Sequence, residues 1–389
     1  MIRVLNLVGK GCGAISSRGH RNYLDPLERK GGIGVELGER KQKILAAIIE
    51  AYIHTGEPVG SKMVVEKLDQ AVSSATIRNE MADLSAMGYL EQPHTSAGRI
   101  PTAKAFRLYI DKLMKRRPLG EEARRDIDDM LAGSASDPER LIGEASQALA
   151  EATGCAAVTT TPDQQEAVIR RIEVMRVSPR AAALLLMTSS GVLRSRMCRF
   201  DFDVDTDLLQ RLGNALAGEF GGCMLTEVGL PQVQGLLVSL GEYGLLCAPA
   251  LTAFYELVQE AAEAEVLLSG QLNLLRHPDY ELERARSLLD FLTRRDRLAD
   301  MMTAHSGGLR VVLGSESHRP ELNGSSIIVT RYTLGNRADG SIGIIGPLRM
   351  DYAGTIPRLE YFAKAMGKLL TELMDEGGPH RKNSDTTPP

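Results

Sequence analysis

Arg78 and Asn79 are the residues of this chain best suited to reading another molecule. An arginine can bond bidentately to guanine, and an asparagine to adenine. Both sit in the run Ser73-Ser74-Ala75-Thr76-Ile77-Arg78-Asn79-Glu80-Met81. At about 100° per residue, Ile77, Met81 and Leu84 fall on one helix face. Ala75, Arg78, Asn79 and Ala82 fall on the other. Two small residues beside two hydrogen-bonding side chains suit close approach to base edges. Ser73 stands where an N-cap belongs, and Ser74 and Thr76 in the first turn can reach phosphate or bases. An isolated helix with this pattern would more often be an ordinary solvated surface helix, so its neighbours decide.

The neighbours have the required form. Glu39 to His54 carries Leu45, Ile48, Ile49, Tyr52 and Ile53 on one stripe and ends at Thr55-Gly56. Ser61 is expected to cap a short helix through Leu68, with Met63, Val64 and Leu68 inward, and Asp69 to Val72 turn into the reading helix. After Gly88-Tyr89-Leu90, the run Gln92-Pro93-His94-Thr95-Ser96-Ala97-Gly98-Arg99-Ile100-Pro101 reads as a short polar hairpin. Gly98 is expected at positive φ, so that the hairpin turns and Arg99 projects towards phosphate or the minor groove. Thr102 caps an exit helix with Phe106, Tyr109, Ile110 and Leu113 at helical spacing. Three helices, a basic-tipped hairpin and an exit helix make a winged helix-turn-helix, which lays one helix in the major groove. The DNA-contacting candidates are Ser74, Thr76, Arg78, Asn79, His94, Thr95, Ser96, Gly98 and Arg99.

Charge agrees. Residues 39–118 hold 13 lysines and arginines against 9 acids, on a chain whose net charge is −4. A positive module on an acidic chain is a footprint for phosphate. Lys41, Lys43, Lys62, Arg99, Lys104 and Arg107 are candidates for backbone contacts, which position a protein on DNA and make binding salt-dependent.

The helix run and the hairpin, with Thr102, closely resemble the heat-inducible transcription repressors of the HrcA family. Two later stretches share the resemblance: Gly270-Gln271-Leu272-Asn273-Leu274-Leu275 with Pro278 and Tyr280, and Gly343-Ile344-Ile345-Gly346-Pro347-Leu348-Arg349-Met350-Asp351-Tyr352. The resemblance spans roughly residues 37–375. It implies a homodimer on an inverted-repeat operator upstream of chaperone operons, and a GAF-like domain. It also implies that the chaperonin GroEL keeps the repressor active and that heat withdraws this help.

The remainder is expected to be α+β. Residues 1–36 read as a flexible extension, 37–118 as the winged domain, and 118–137 as a charged, helix-prone linker. Residues 119–224 and 306–376 read as the two parts of the GAF-like domain, of antiparallel type, and 377–389 as a disordered tail. Strands are expected at Cys155–Thr161, Ile169–Val177, Ala181–Met187, Val192–Phe200, Leu309–Leu313, Ser326–Tyr332 and Gly340–Ile345. Helices are expected at Arg140–Ala152 and Asp205–Phe220, and from Pro357 onward. Residues 225–305 read as a mainly helical insertion, strongest over Leu251–Leu268 and Tyr280–Met302; the resemblance gives it a role in dimerisation. The split is expected to bring Ala181–Phe200 beside the late strands.

Other functions find less support. There is no G-x-S-x-G, H-E-x-x-H or Walker-type loop, and no enzyme, metal or cofactor is expected. The five cysteines are odd in number and scattered, which fits a reducing cytoplasm rather than a disulfide framework. No 18-residue apolar tract predicts a membrane span, and Met1–Gly13 lacks a signal-peptide core. A ligand-sensing regulator using the GAF-like domain is the main rival. An RNA-binding regulator would want stacking aromatics, and the chain is 4% aromatic with no Trp.

Overall fold

The protein is described by a computed structural model covering residues 37–68, 73–94, 98–133, 138–162, 164, 167–303, 308–334 and 338–376. The extension 1–36, the turn expected over Asp69–Val72, the tail 377–389, and Thr95 and Ser96 lie outside these residues.

The winged module is built from strong local signals. Helix α1 (Glu39–Thr55) buries Ile44, Leu45, Ile48 and Ile49. It ends where Gly56, at φ +70°, donates its N–H to the Tyr52 carbonyl. Helix α2 (Ser61–Lys67) buries Val64, while Met63 and Leu68 are half-buried. Its N-cap is Gly60, not Ser61. Helix α3 (Ser74–Ala86) comes next, and strands β1 (Leu90–Glu91) and β2 (Ile100–Pro101) pair antiparallel. Thr102 caps α4 (Ala103–Leu108) by accepting the Ala105 N–H, and a π turn over Tyr109–Leu113 completes the exit helix.

The expected linker is a packed helix. α5 (Glu121–Ala132) buries Ile127 and Leu131 against α6 (Pro138–Thr153) and the final helix. Two apolar residues four apart are enough to seat an otherwise charged helix.

Strand β3 (Ala156–Thr160) precedes a separate unit. β4 (Ile169–Ser178), β5 (Ala181–Thr188) and β6 (Leu193–Arg199) form a three-stranded antiparallel sheet. α7 (Thr206–Phe220), capped by Asp205, and α9 (Glu242–Ala262) cover one face, and α8 (Leu230–Ser239) packs against these two helices. One hydrophobic cluster runs from Ala167 through Leu184, Leu212 and Leu225 to Phe254 and Ala261. The expected boundary at 224/225 therefore falls inside a single core. The interruption defined by packing runs from β4 to α9.

The second sheet is five-stranded and antiparallel, in the order β7-β3-β10-β9-β8. Its other members are β7 (Val266–Ser269), β8 (Arg310–Leu313), β9 (Ser325–Leu334) and β10 (Ala338–Pro347). The expectation that Ala181–Phe200 lies beside the late strands is overturned. β5 and β6 pair within their own sheet, and β3 makes the long-range pairing instead, with Thr159 opposite Ile342. β3, and β10 over residues 340–347, are buried on both faces, as a central strand covered on both sides must be; β5 alternates and is buried on only one.

Helices α10 (Gln271–Arg276), α11 (Leu282–Leu292) and α12 (Arg295–Thr303) supply Leu274, Leu288, Phe291 and Leu298 to the cluster on one face of this sheet, around Val158, Ile327, Val329 and Ile345. Ile328, Ile342 and Ile344 are buried on the other face, where α6 and α13 (Tyr352–Glu376) pack. Three helical expectations are corrected here. Val266–Leu268 is strand because it closes the free edge of β3. Tyr280–Met302 breaks at Thr293, which caps α11. α13 begins at Tyr352, not Pro357. Pro357 has no N–H for the Ala353 carbonyl four residues back; that carbonyl accepts the backbone N–H of Arg117 instead, at 3.0 Å.

Candidate nucleic-acid interface

The reading helix starts with a side-chain cap. Ser73 Oγ accepts the N–H of Thr76 at 3.1 Å and lies 2.9 Å from the Thr76 hydroxyl. The Ser74 hydroxyl meets that of Ser61 at 2.9 Å, which ties α2 to α3. Ser61 is thus a crosslink between the two helices rather than a cap. Ile77 and Leu84 are fully buried and Met81 nearly so. Ala75, Arg78, Asn79 and Ala82 are exposed. Among the described residues, Arg78 and Asn79 enter no side-chain hydrogen bond or ion pair. The face is open, short in its flanking side chains and unencumbered.

The wing is held by backbone. Val59 and Arg99 exchange both N–H···O bonds at 2.9 Å, which adds a third rung beside β1 and β2. Gly98 is glycine for a different reason than expected. It is not among the positive-φ glycines. A Cβ there would lie 2.5 Å from the Val59 carbonyl oxygen and 2.7 Å from that of Pro58. The hairpin needs a residue without a side chain because two backbones touch. Arg99 is half-buried rather than freely projecting, and His94 is exposed.

The six cations proposed for phosphate divide in two. Lys43 and Lys62 are exposed, and Arg99 stands in the wing. The other three are engaged within the fold. Lys41 bridges Glu80 at 2.7 Å and Asp83 at 2.9 Å, fastening α1 to the back of α3, and those hydrogen bonds raise its pKa. Lys104 donates to the Met87 carbonyl at 2.8 Å and lies over the Tyr89 ring. Arg107 pairs with Glu316 and Asp111 and donates to the Val311 carbonyl at 2.9 Å.

The family model described as the winged helix-turn-helix transcription repressor, HrcA DNA-binding, matches residues 36–113. The model described as the HrcA protein C terminal domain matches residues 139–356. The chain belongs to the HrcA family. The heat-inducible transcription repressor HrcA of Clostridium botulinum is 33% identical over 337 residues, covering 86% of this chain and 98% of its own. That of Clostridium acetobutylicum is 34% identical over 344 residues, covering 88% and 97%. A hypothetical protein of known crystal structure has the same fold, with a TM-score of 0.62 and 26% identity over 87% of this chain and 100% of that one. Membership in the HrcA family makes this a DNA-binding, heat-inducible transcription repressor and not an enzyme.

The rest of the HrcA chain offers no chemical centre among the described residues. No three His, Cys, Asp or Glu side chains gather as a metal site. Cys155, Cys198, Cys223 and Cys247 are free thiols. Burial pushes Cys155 up to about 11, so it is no thiolate nucleophile near neutrality. No described helix is long and apolar enough to cross a membrane. Sequence reasoning missed the contacts that join the winged module to the C-terminal region. Arg107 meets Glu316, Arg116 meets Glu360, Arg117 meets Asp351, and Arg349 reaches the Ile53 carbonyl. Charge alone does not separate an arginine facing phosphate from one facing a carboxylate two hundred residues away.

Proposed function

We propose that this repressor binds an inverted-repeat operator upstream of chaperone genes as a homodimer, with α3 in the major groove and the wing beside it. Arg78 and Asn79 read base edges, Ser74 and Thr76 approach the backbone, and His94, Thr95, Ser96, Gly98 and Arg99 form the wing contact. The supporting observation is the open face of α3, where Arg78 and Asn79 stand exposed beside Ala75 and Ala82. One such helix reads only a few base pairs. A two-fold dimer doubles the contact and makes the site palindromic.

The same reading includes GroEL as the partner that maintains the active fold. Two features favour it. β3 must wait for β10 across nearly the whole C-terminal region, and late, non-local pairing leaves edges exposed meanwhile. Met175, Met187, Leu193 and Met197 are exposed on the three-stranded sheet, as are Val238 and Leu245 on α8 and α9. A protein near its stability threshold loses much of its active fraction for one or two kcal/mol. The test is footprinting on the chaperonin promoters after refolding with and without GroEL. Protection of an inverted repeat, increased by GroEL without its joining the complex, is the expected result. Protection of one half-site alone would remove the dimer. Full recovery without GroEL at heat-shock temperature would remove the chaperonin and leave DNA binding standing.

A further inference from the structure

Gly270–Tyr280 and Gly343–Tyr352 carry much of the family resemblance, yet neither lies on the reading face. They converge on the far end of α1. Asn273 Nδ2 donates to the Ala150 carbonyl at 3.3 Å and the Cys155 carbonyl at 3.1 Å. Tyr280 donates to Ser325 Oγ at 3.1 Å. These bonds fix the turn that carries Asp279. Asp279 receives Arg349 Nε at 2.7 Å, and Arg349 Nη1 donates to the Ile53 carbonyl at 3.2 Å. That carbonyl belongs to the last turn of α1, where acceptors lack helical partners and a cation is favoured.

Gly56 serves this contact twice. It takes φ +70°, and a Cβ there would lie 2.9 Å from Arg349 Cζ. Three residues further on, Val59 holds the wing through Arg99. The rest of the contact is consistent. Phe106 lies between Tyr52 and Tyr352 at ring distances of 6.5 and 6.2 Å. Arg117 meets Asp351 with its side chain and the Ala353 carbonyl with its backbone.

We propose that Arg349, locked on Asp279, is a positioning residue that seats the winged module on the C-terminal region, so that the two modules of a dimer are held at the spacing of their half-sites. The proposal rests on the inverted-repeat reading. Arg349 touches no residue of the exposed α3 face, so it acts through orientation and not through DNA contact. A tethered second reader is most effective when its reach matches the span, and loses effective concentration when it wanders. The seated module leaves Arg78 and Asn79 exposed, so seating and DNA binding are compatible.

The test uses full-length Arg349→Met and Asp279→Asn, with an inverted repeat selected by the wild-type protein from a random duplex library. Binding is measured on that repeat, on one half-site, and on a repeat whose spacer is lengthened by about half a turn, roughly 5 base pairs. The variants should bind the native repeat about tenfold more weakly or worse, bind the half-site within about twofold of wild type, and discriminate less between spacings. Trypsin should cut faster between Lys115 and Arg117, while circular dichroism shows one cooperative transition. A merely destabilising change would weaken repeat and half-site alike and leave spacing preference intact; that result overturns the proposal, as does tighter binding to the repeat. Arg349→Lys keeps the charge, cannot fork between Asp279 and Ile53, and should fall between wild type and Met in spacing preference. Wild-type protein that prefers no repeat over a half-site refutes the dimeric operator instead, and tryptic cutting at Lys115–Arg117 then decides the role of Arg349 alone.

Discussion

The winged module presents two surfaces that use the same residue types in opposite ways. On one, Arg78, Asn79, Lys43 and Lys62 are exposed, and Arg78 and Asn79 are unpaired among the described residues. On the other, Arg107, Arg116 and Arg117 each meet a carboxylate of the C-terminal region: Glu316, Glu360 and Asp351. A solvated arginine can exchange water for a base edge without breaking a protein contact. A paired one would have to leave its carboxylate first. The first surface is therefore available for recognition and the second for assembly. Exposed ion pairs are each worth only about 0–1 kcal/mol. Docking thus leans on what is buried between them, the Phe106 contact and the Arg349 carbonyl bond.

The largest expected effect comes from the residue common to the module's core and its docking surface. Phe106 is fully buried and contacts both Tyr52 and Tyr352. Phe106→Ala should cost about 3–5 kcal/mol of stability, in the range for buried aromatic truncation. Urea unfolding measures it. A loss near the cost of a surface change would mean that the two surfaces share no core.

Arg78→Ala and Asn79→Ala should do the reverse. Each should lose about 1–3 kcal/mol of discrimination between operator and scrambled duplex if it makes a bidentate base contact. The urea midpoint should not move, because both side chains point away from Ile77 and Met81. Equal weakening on both duplexes would reassign them to phosphate.

Gly98→Ala should touch both properties. The added Cβ would meet the Val59 carbonyl at 2.5 Å, so either the wing or the 58–59 turn must shift. Forcing such an overlap costs about 1–3 kcal/mol. Operator affinity should fall with stability, read by titration and urea unfolding together. A stable variant with normal affinity would show that the wing can be displaced freely.

The reading surface was legible in the sequence because its determinants are local. Ser73, Ile77, Met81 and Leu84 lie within three turns of one helix, so periodicity and one cap define the face. Most strands were legible from their own apolar runs. Their partners were not. Nothing in Ala156–Thr160 says that it will pair with residues near Ile342 rather than with β4, and its two threonines do not announce that both of its faces are buried. Pro357 reads as a helix start, which is one turn late for α13. The acceptor it leaves over is satisfied by Arg117, hundreds of residues away along the chain. The cations failed for the same reason: Lys41 and Lys62 are alike in sequence, and only the fold brings Glu80 and Asp83 to one of them.

That pair gives a smaller test. Lys62→Ala should reduce the salt slope of operator binding by about one if it contacts one phosphate. Lys41→Ala should leave the slope unchanged, since its ammonium is already held by Glu80 and Asp83. A slope lowered by both would put Lys41 at the DNA and undo the division between free and engaged cations.

The smallest expected effect is one of pH, at the seat of Arg349. His277 lies on the same turn as Asp279, its ring edge-on to Tyr280. Burial lowers its pKa; the Asp279 carboxylate opposes the shift and the Arg349 guanidinium adds to it. Its Nδ1 accepts the backbone N–H of Asp279 at 3.3 Å, an acceptor that protonation would remove. The unfolded chain therefore takes up a proton at the ordinary histidine value, near 6.5, while the folded chain resists it until lower pH. Above 6.5 both states are neutral and the full contribution is present. As pH falls from 6.5 through the folded value, stability is lost. Urea midpoints of wild type and His277→Gln, compared between about pH 7.5 and about pH 5.5, isolate this component because the remaining titrating groups are common to both. Wild type should lose more on acidification than the variant, and tryptic cutting at Lys115–Arg117 should accelerate in the same window. Equal losses would mean that His277 is as easily protonated folded as unfolded, and the seat of Arg349 would then be indifferent to pH.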